Sequence, residues 1–195
     1  MPPSPVTVVV DDVHRVITSI RELAGTDVLV GIPEENASRQ AEPGEQPSPM
    51  TNAVIGYIQE NGSPEMRIPA RPWLTTGVRD YVPQFIRRAG QIAAKVGKGD
   101  ADAVRRGMEV IGLEAQVAVR RRLQMGPWQP LADSTLRARA RRAVGRGLQI
   151  VKGARRELAR RAAGEAPSSE FARPLIDTAQ LRNAVNYVVR RGRKG

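Results

Sequence analysis

Apolar residues recur at Val13, Val16, Ile17, Ile20 and Leu23, a spacing that lays one stripe along a helix, and Gly25 closes it. The pattern predicts a helix over 12–24, capped by Asp11 or Asp12. β-Branched runs flank it: Val6 to Val10 lies between prolines and the Asp11-Asp12 pair, and Asp27 to Ile32 is stopped by Pro33. Both read as strands. A short helix capped by Thr51 or Asn52 follows through Ala53, Val54, Tyr57 and Ile58, with Asn61-Gly62 as its terminator. Pro64, Pro69 and Pro72 keep the next stretch extended.

Two long helices come next. Over 75–96, Val78, Val82, Phe85, Ile86, Ala89, Ile92, Ala93 and Val96 make one continuous apolar face, with Pro83 either kinking the helix or marking its first turn. Over 101–124 the stripe is Val104, Met108, Ile111, Ala115, Ala118 and Leu123. Residues 175–185 read as a short capped helix and 185–190 as a last strand. The sum is an α+β domain spanning 1–195: a small antiparallel or mixed sheet from 5–11, 27–32 and 185–190, packed against helices at 12–24, 75–96 and 101–124.

Two segments lack such a pattern. Residues 33–50 hold four prolines with Glu34, Glu35, Glu42 and Glu45 and almost no large apolar side chain, which predicts a flexible acidic loop or one that folds only on a partner. Residues 137–165 alternate arginine with alanine, glycine and leucine, which predicts an exposed, projecting arm that is helical in pieces.

Charge sharpens that contrast. The 195 residues carry a net charge of +11, but residues 1–100 hold 10 basic and 12 acidic side chains whereas 101–195 hold 21 and 8. The whole surplus lies in the second half. Of the 31 basic residues 27 are arginine, the planar, permanently charged side chain that forks onto carboxylates and phosphates. An anionic or acidic partner is expected. With no cysteine there is no disulfide framework, thiolate metal site or cysteine nucleophile, and His14 is the only histidine. Glycine spacing matches no phosphate-binding loop. No catalytic, metal or cofactor residue is expected, and the chain reads as a non-enzyme. No run approaches the about 20 apolar residues of a membrane span, and the N-terminus lacks the pattern of a secretory leader.

Arg120, Arg121 and Arg122 end the second long helix, where they compensate its dipole or meet phosphate. Arg190, Arg191, Arg193 and Lys194 form a basic tip with the same phosphate option. Aromatic residues are scarce, so any nucleic-acid contact would be to phosphates alone, salt-sensitive and indifferent to sequence.

Asn52-Ala53-Val54-Ile55-Gly56-Tyr57-Ile58-Gln59-Glu60-Asn61-Gly62-Ser63-Pro64, followed by Ile68-Pro69-Ala70-Arg71-Pro72-Trp73-Leu74, resembles a signature of the tail-completion or neck proteins of tailed bacteriophages, the Mu-type virion morphogenesis group. Gly126-Pro127-Trp128-Gln129-Pro130-Leu131, Ser134-Thr135-Leu136 and Pro174-Leu175-Ile176-Asp177-Thr178-Ala179-Gln180-Leu181 resemble its C-terminal pattern, with Ala179 where the group has glycine. Order and spacing agree over roughly 25–190.

The resemblance implies a structural virion protein at the head-tail junction or the top of the tail. It would assemble in the host cytoplasm as a homo-oligomeric ring of six, joining tail to head beside other head-tail connector, tail terminator or tail tube proteins. The expected subunit or partner interface comprises Arg71, Trp73 and Trp128, the acidic Glu34, Glu35, Glu42 and Glu45, and the basic Arg137, Arg139, Arg141, Arg142, Arg155 and Arg156. An acidic loop of one subunit meeting the arginine-rich arm of the next would supply complementary charge. Arg71, held between prolines, suits a carboxylate, either Glu60 or one on a neighbouring subunit. The alternative is a basic accessory protein that contacts nucleic-acid phosphates without sequence specificity.

Overall fold

A computed structural model describes residues 13–39, 50–98, 100, 102–141, 148–175 and 179–191. In chain order they form α1 (Val13–Ala24), β1 (Thr26–Gly31), a 3-10 turn (Glu34–Asn36), α2 (Asn52–Asn61), α3 (Trp73–Val96), α4 (Ala103–Met125), α5 (Asp133–Arg141), α6 (Leu148–Ala162), α7 (Gln180–Ala184) and β2 (Asn186–Arg191). The class is α+β, with β1 and β2 pairing as a two-stranded antiparallel sheet. The strand expected at 5–11 and the Asp11 or Asp12 cap lie outside the described residues, as do residues 40–49 of the acidic loop.

Local signals behave as their chemistry requires. The Thr51 hydroxyl accepts from the Val54 N–H at 3.3 Å and so caps α2. Gly62 ends the helix at φ 78°, a conformation in which a Cβ would meet the Ala70 nitrogen at 2.8 Å. Pro83 sits inside a helix that runs unbroken from Trp73 to Val96. Ala179, in the position where glycine was expected, adopts φ 62°.

The chain divides into two compact units, one of residues 1–29, 82–114 and 188–195, the other of 30–81 and 115–187. In the first, the α3–α4 connection is tied by Arg106, whose guanidinium donates to both Asp100 oxygens at 2.7 and 2.8 Å. Ile92, Val96, Val104, Met108 and Ile111 are buried, and Arg88 pairs with Glu114. Elsewhere in this unit the apolar pattern is not covered. Val13, Ile17 and Ile20 on α1 are 64, 41 and 53% exposed, and Val82, Phe85 and Ile86 on α3 are also exposed. The face expected to be continuous on α3 is therefore split: its C-terminal turns are core and its middle turns meet solvent.

The second unit buries Trp73, Val119, Leu123, Leu175, Leu181 and Val185 together, with Val30, Ile32, Ile55, Leu74 and Trp128 packed against them. A second cluster joins Leu131, Leu136, Ala154 and Ala172, flanked by Ala140 and Leu158. It sits between α5 and α6. The expectation of an exposed arm over 137–165 is thus corrected, because Val151, Ala154 and Leu158 at helical spacing on α6 turn one face inward, Ala154 and Leu158 packing with Leu136 of α5. Gly153 lets the chain at Phe171 lie directly on α6, since a Cβ there would come within 2.0 Å of the Phe171 carbonyl oxygen.

Candidate functional site

Within the second unit, α2, the segment 66–71, the start of α5 and residues around Pro174 and Leu181 enclose a cavity of about 810 Å³. Its walls are mainly apolar, with Ile55, Ile58, Ile68, Leu131, Leu175 and Leu181 among them, and Arg39, Arg67, Arg71 and Arg139 also line it. Among the described residues no carboxylate does.

Arg71 is placed by the extended proline segment. Its backbone N–H donates to the Gln59 carbonyl at 2.7 Å and its Nη1 to Gln59 Oε1 at 2.9 Å. Only 5% exposed, it leaves its Nε buried with no acceptor among the described residues. Burial, and then the charge of Arg139, lower its affinity for the proton. Arg139 is equally buried, donating to the carbonyl oxygens of Arg173 at 2.9 Å and Pro174 at 3.1 Å. Glu60, the internal carboxylate expected for Arg71, is used elsewhere: it accepts from the N–H groups of Leu74 and Thr75 and from the Thr75 hydroxyl, capping α3.

A second constellation occupies the arginine-rich region. Glu157 is fully buried and accepts from Arg160 and Arg161, each at 3.0 Å, and from the Ser168 N–H at 2.7 Å. Arg161 continues to Asp133 at 2.6 Å and to the Leu131 carbonyl, and Arg160 continues to Glu165 at 2.7 Å. Burial raises the Glu157 proton affinity, but the Ser168 N–H and the two guanidiniums outweigh it and hold the carboxyl below its ordinary value. The network ties the start of α5 to α6 and to the loop after it.

The expected interface residues are dispersed by this structure. Arg71, Trp73 and Arg139 are interior, which corrects the expectation that they face a partner; Trp73 is packed in the main core with its Nε1 donating to the Gly56 carbonyl. Trp128 is half-buried and donates to the Leu123 carbonyl. Arg155 donates to the Ala140 carbonyl, and Arg156 stacks over Phe171 at 3.8 Å. Arg137 and Arg141 are exposed, as are Glu34 and Glu35. Arg142, Glu42, Glu45, Arg193 and Lys194 lie outside the described residues.

Of the expected phosphate contacts, Arg120 donates to the Val185 carbonyl at 2.7 Å and Arg122 to the Gly126 carbonyl at 2.7 Å, so these two brace loops. Arg121 is exposed. Arg190 lies 3.8 Å from Asp27 on β1, and Arg191 lies 3.4 Å from Glu22 on α1.

Two features escaped the sequence reading. Glu157 had a signal, being the one acidic residue between Asp133 and Glu165 in a strongly basic stretch. The exposure of the α1 and α3 faces had none, because their spacing is that of core helices. Among the described residues no helix is long and apolar enough to cross a membrane, and no group of three metal-ligating side chains comes together. Compared with known protein families, with curated proteins and with solved structures, the chain matches none.

Proposed function

We propose that this chain is a non-enzymatic structural protein of a tailed-bacteriophage virion, a tail-completion or neck subunit that forms a homo-oligomeric ring between tail and head. The ordered motifs from Asn52 to Leu74 and from Gly126 to Leu181 suggest the group. The observation that carries the assembly reading is the exposed apolar face of α1 with that of α3: six large apolar side chains, at helix-core spacing, open to solvent. Such faces are costly to leave wet and fit the surface of a second copy. A heterologous contact, with α1 of one subunit on α3 of the next, closes into a ring if the rotation permits.

The reading places the protein at the neck or tail top, beside connector, terminator or tail tube proteins. Nucleic-acid accessory function has weaker support, since Arg120, Arg122, Arg155 and Arg161 are bonded within the chain. Native mass spectrometry of the purified protein, with immuno-gold imaging of virions, tests the proposal. It predicts a closed oligomer and label at the head-tail junction. A monomer at all concentrations, or label on the capsid or tail tip, would contradict it.

A further inference from the structure

Residues 134–156 hold eight basic side chains and no acidic one, and the fold separates the described ones by the direction in which they point. Arg139 is buried, and just beyond the run Arg160 and Arg161 answer Glu157, Asp133 and Glu165. The others face outward: Arg137 and Arg141 on α5, one helical turn apart, and Lys152, Arg155 and Arg156 on α6, at positions i, i+3 and i+4. Among the described residues, only Arg137 of these five pairs with a carboxylate, Asp133 at 3.9 Å.

Two contacts gather these cations into one surface. Arg155 donates from Nε and Nη2 to the Ala140 carbonyl at 3.3 and 3.2 Å, which sets the α6 row against the last turn of α5, where Arg141 stands. The Arg156 guanidinium stacks over Phe171, 3.8 Å from the ring centre. Stacking engages the face of a guanidinium and leaves its in-plane N–H groups for an acceptor at its edge. Like charges one turn apart on a helix repel, so an anion laid along these rows relieves them.

The surface between the charges specifies which anion fits. Among the described residues no large apolar side chain of α5 or α6 is exposed, and Ala138 and Ala159 lie open beside the cations. A polypeptide partner is held by apolar and aromatic anchors as well as by charge, and this face has no large apolar group to meet one. A single-stranded nucleic acid is held by aromatic side chains on which its bases stack, and Phe171, the aromatic beside α6, is covered by Arg156. A duplex backbone asks for positive charge alone: its phosphates are dense and regular, and small side chains between the cations let it come close.

We infer that the outer face of the α5–α6 pair binds the phosphate backbone of a nucleic-acid duplex without reading its sequence. Arg137, Arg141, Lys152 and Arg156 meet phosphates, and Arg155 braces the two rows together. The face uses none of the α1 and α3 side chains that carry the assembly reading, so duplex binding and ring formation can each fail without the other.

The test is fluorescence anisotropy of a labelled DNA duplex titrated with the full chain over a salt series. Wild type is compared with Arg141→Gln plus Lys152→Gln, and with Arg79→Gln plus Arg87→Gln, which removes the same net charge from exposed positions on α3. Expected for the wild type are a dissociation constant of about 10⁻⁴ to 10⁻⁶ M near physiological salt and a logarithmic salt slope of about −0.9 for each phosphate met. The Arg141 and Lys152 variant should lose about half of that slope, however many subunits engage, and bind at least about tenfold more weakly at low salt. The α3 variant should keep the wild-type slope. An unlabelled duplex of unrelated sequence should compete as well as the probe, whereas a single strand of the same length and polyglutamate should each need at least about tenfold more. Equal losses in the two variants would assign binding to overall charge, and equal competition by polyglutamate or by the single strand would assign the face to an acidic polypeptide or to unpaired strands. Any of these results, or no binding by the wild type, would overturn the inference.

Discussion

The arginine-rich stretch of α5 and α6 and the amphipathic helix α1 exchange the roles that composition gives them. The first has few bulky residues and many charges, yet it encloses a small core and binds much of its charge internally, through Glu157, Asp133, Glu165 and backbone carbonyls. The second has the regular apolar stripe of a core helix, yet Val13, Ile17 and Ile20 on that stripe are exposed. Charge here holds the chain together, and apolar surface is what the chain leaves open to solvent. A guanidinium can satisfy several acceptors at once, so a basic composition by itself says little about where an anion binds.

The largest test of this contrast removes the hub of the charged region. Glu157→Ala opens a buried void, orphans the Ser168 N–H and leaves Arg160 and Arg161 with only Glu165 and Asp133 as carboxylate partners, and it should cost about 3 kcal/mol or more in urea unfolding, the scale of a broken buried ion pair. Glu157→Gln separates charge from packing through pH. The native carboxyl titrates below its unfolded value of about 4.3. Its stabilisation is therefore complete above that value and is lost as pH falls through the lower native one. The wild type should lose stability below about pH 4 more steeply than Glu157→Gln; parallel pH profiles would remove Glu157 from the role given to it.

Gly153→Ala comes next, at about 2 kcal/mol or more, because the added methyl meets the Phe171 carbonyl and must push the loop off α6. Thermal unfolding of that variant at wild-type temperature would mean that the loop does not lie on α6. Smallest and opposite in sign is Ala179→Gly, which relieves a left-handed alanine and should add about 1 kcal/mol in the same assay.

The elements that declare themselves locally were legible in the sequence. Thr51, Gly62 and the stripes from Val104 to Leu123 and from Ile92 to Val96 needed only capping and period to place them. What periodicity cannot convey is which covering surface a stripe finds, so Val82, Phe85 and Ile86 read as core although they are exposed. Arg71 was legible as a directed cation, whereas the diversion of Glu60 to the Leu74 and Thr75 N–H groups depends on a turn that only the fold defines. Arg120, Arg139 and Arg155 read as outward charge because nothing in sequence marks the carbonyls of Val185, Arg173 and Ala140 as their acceptors.

The central claim, that apolar faces and not surplus arginines join the subunits, is tested most directly by comparing two double variants by native mass spectrometry. Ile17→Glu with Ile20→Glu places charge on the exposed α1 stripe, and Arg137→Glu with Arg141→Glu reverses exposed charge on α5. The account predicts that the first variant is a folded monomer and that the second keeps the wild-type oligomer. An intact oligomer in the first and a monomer in the second would contradict it.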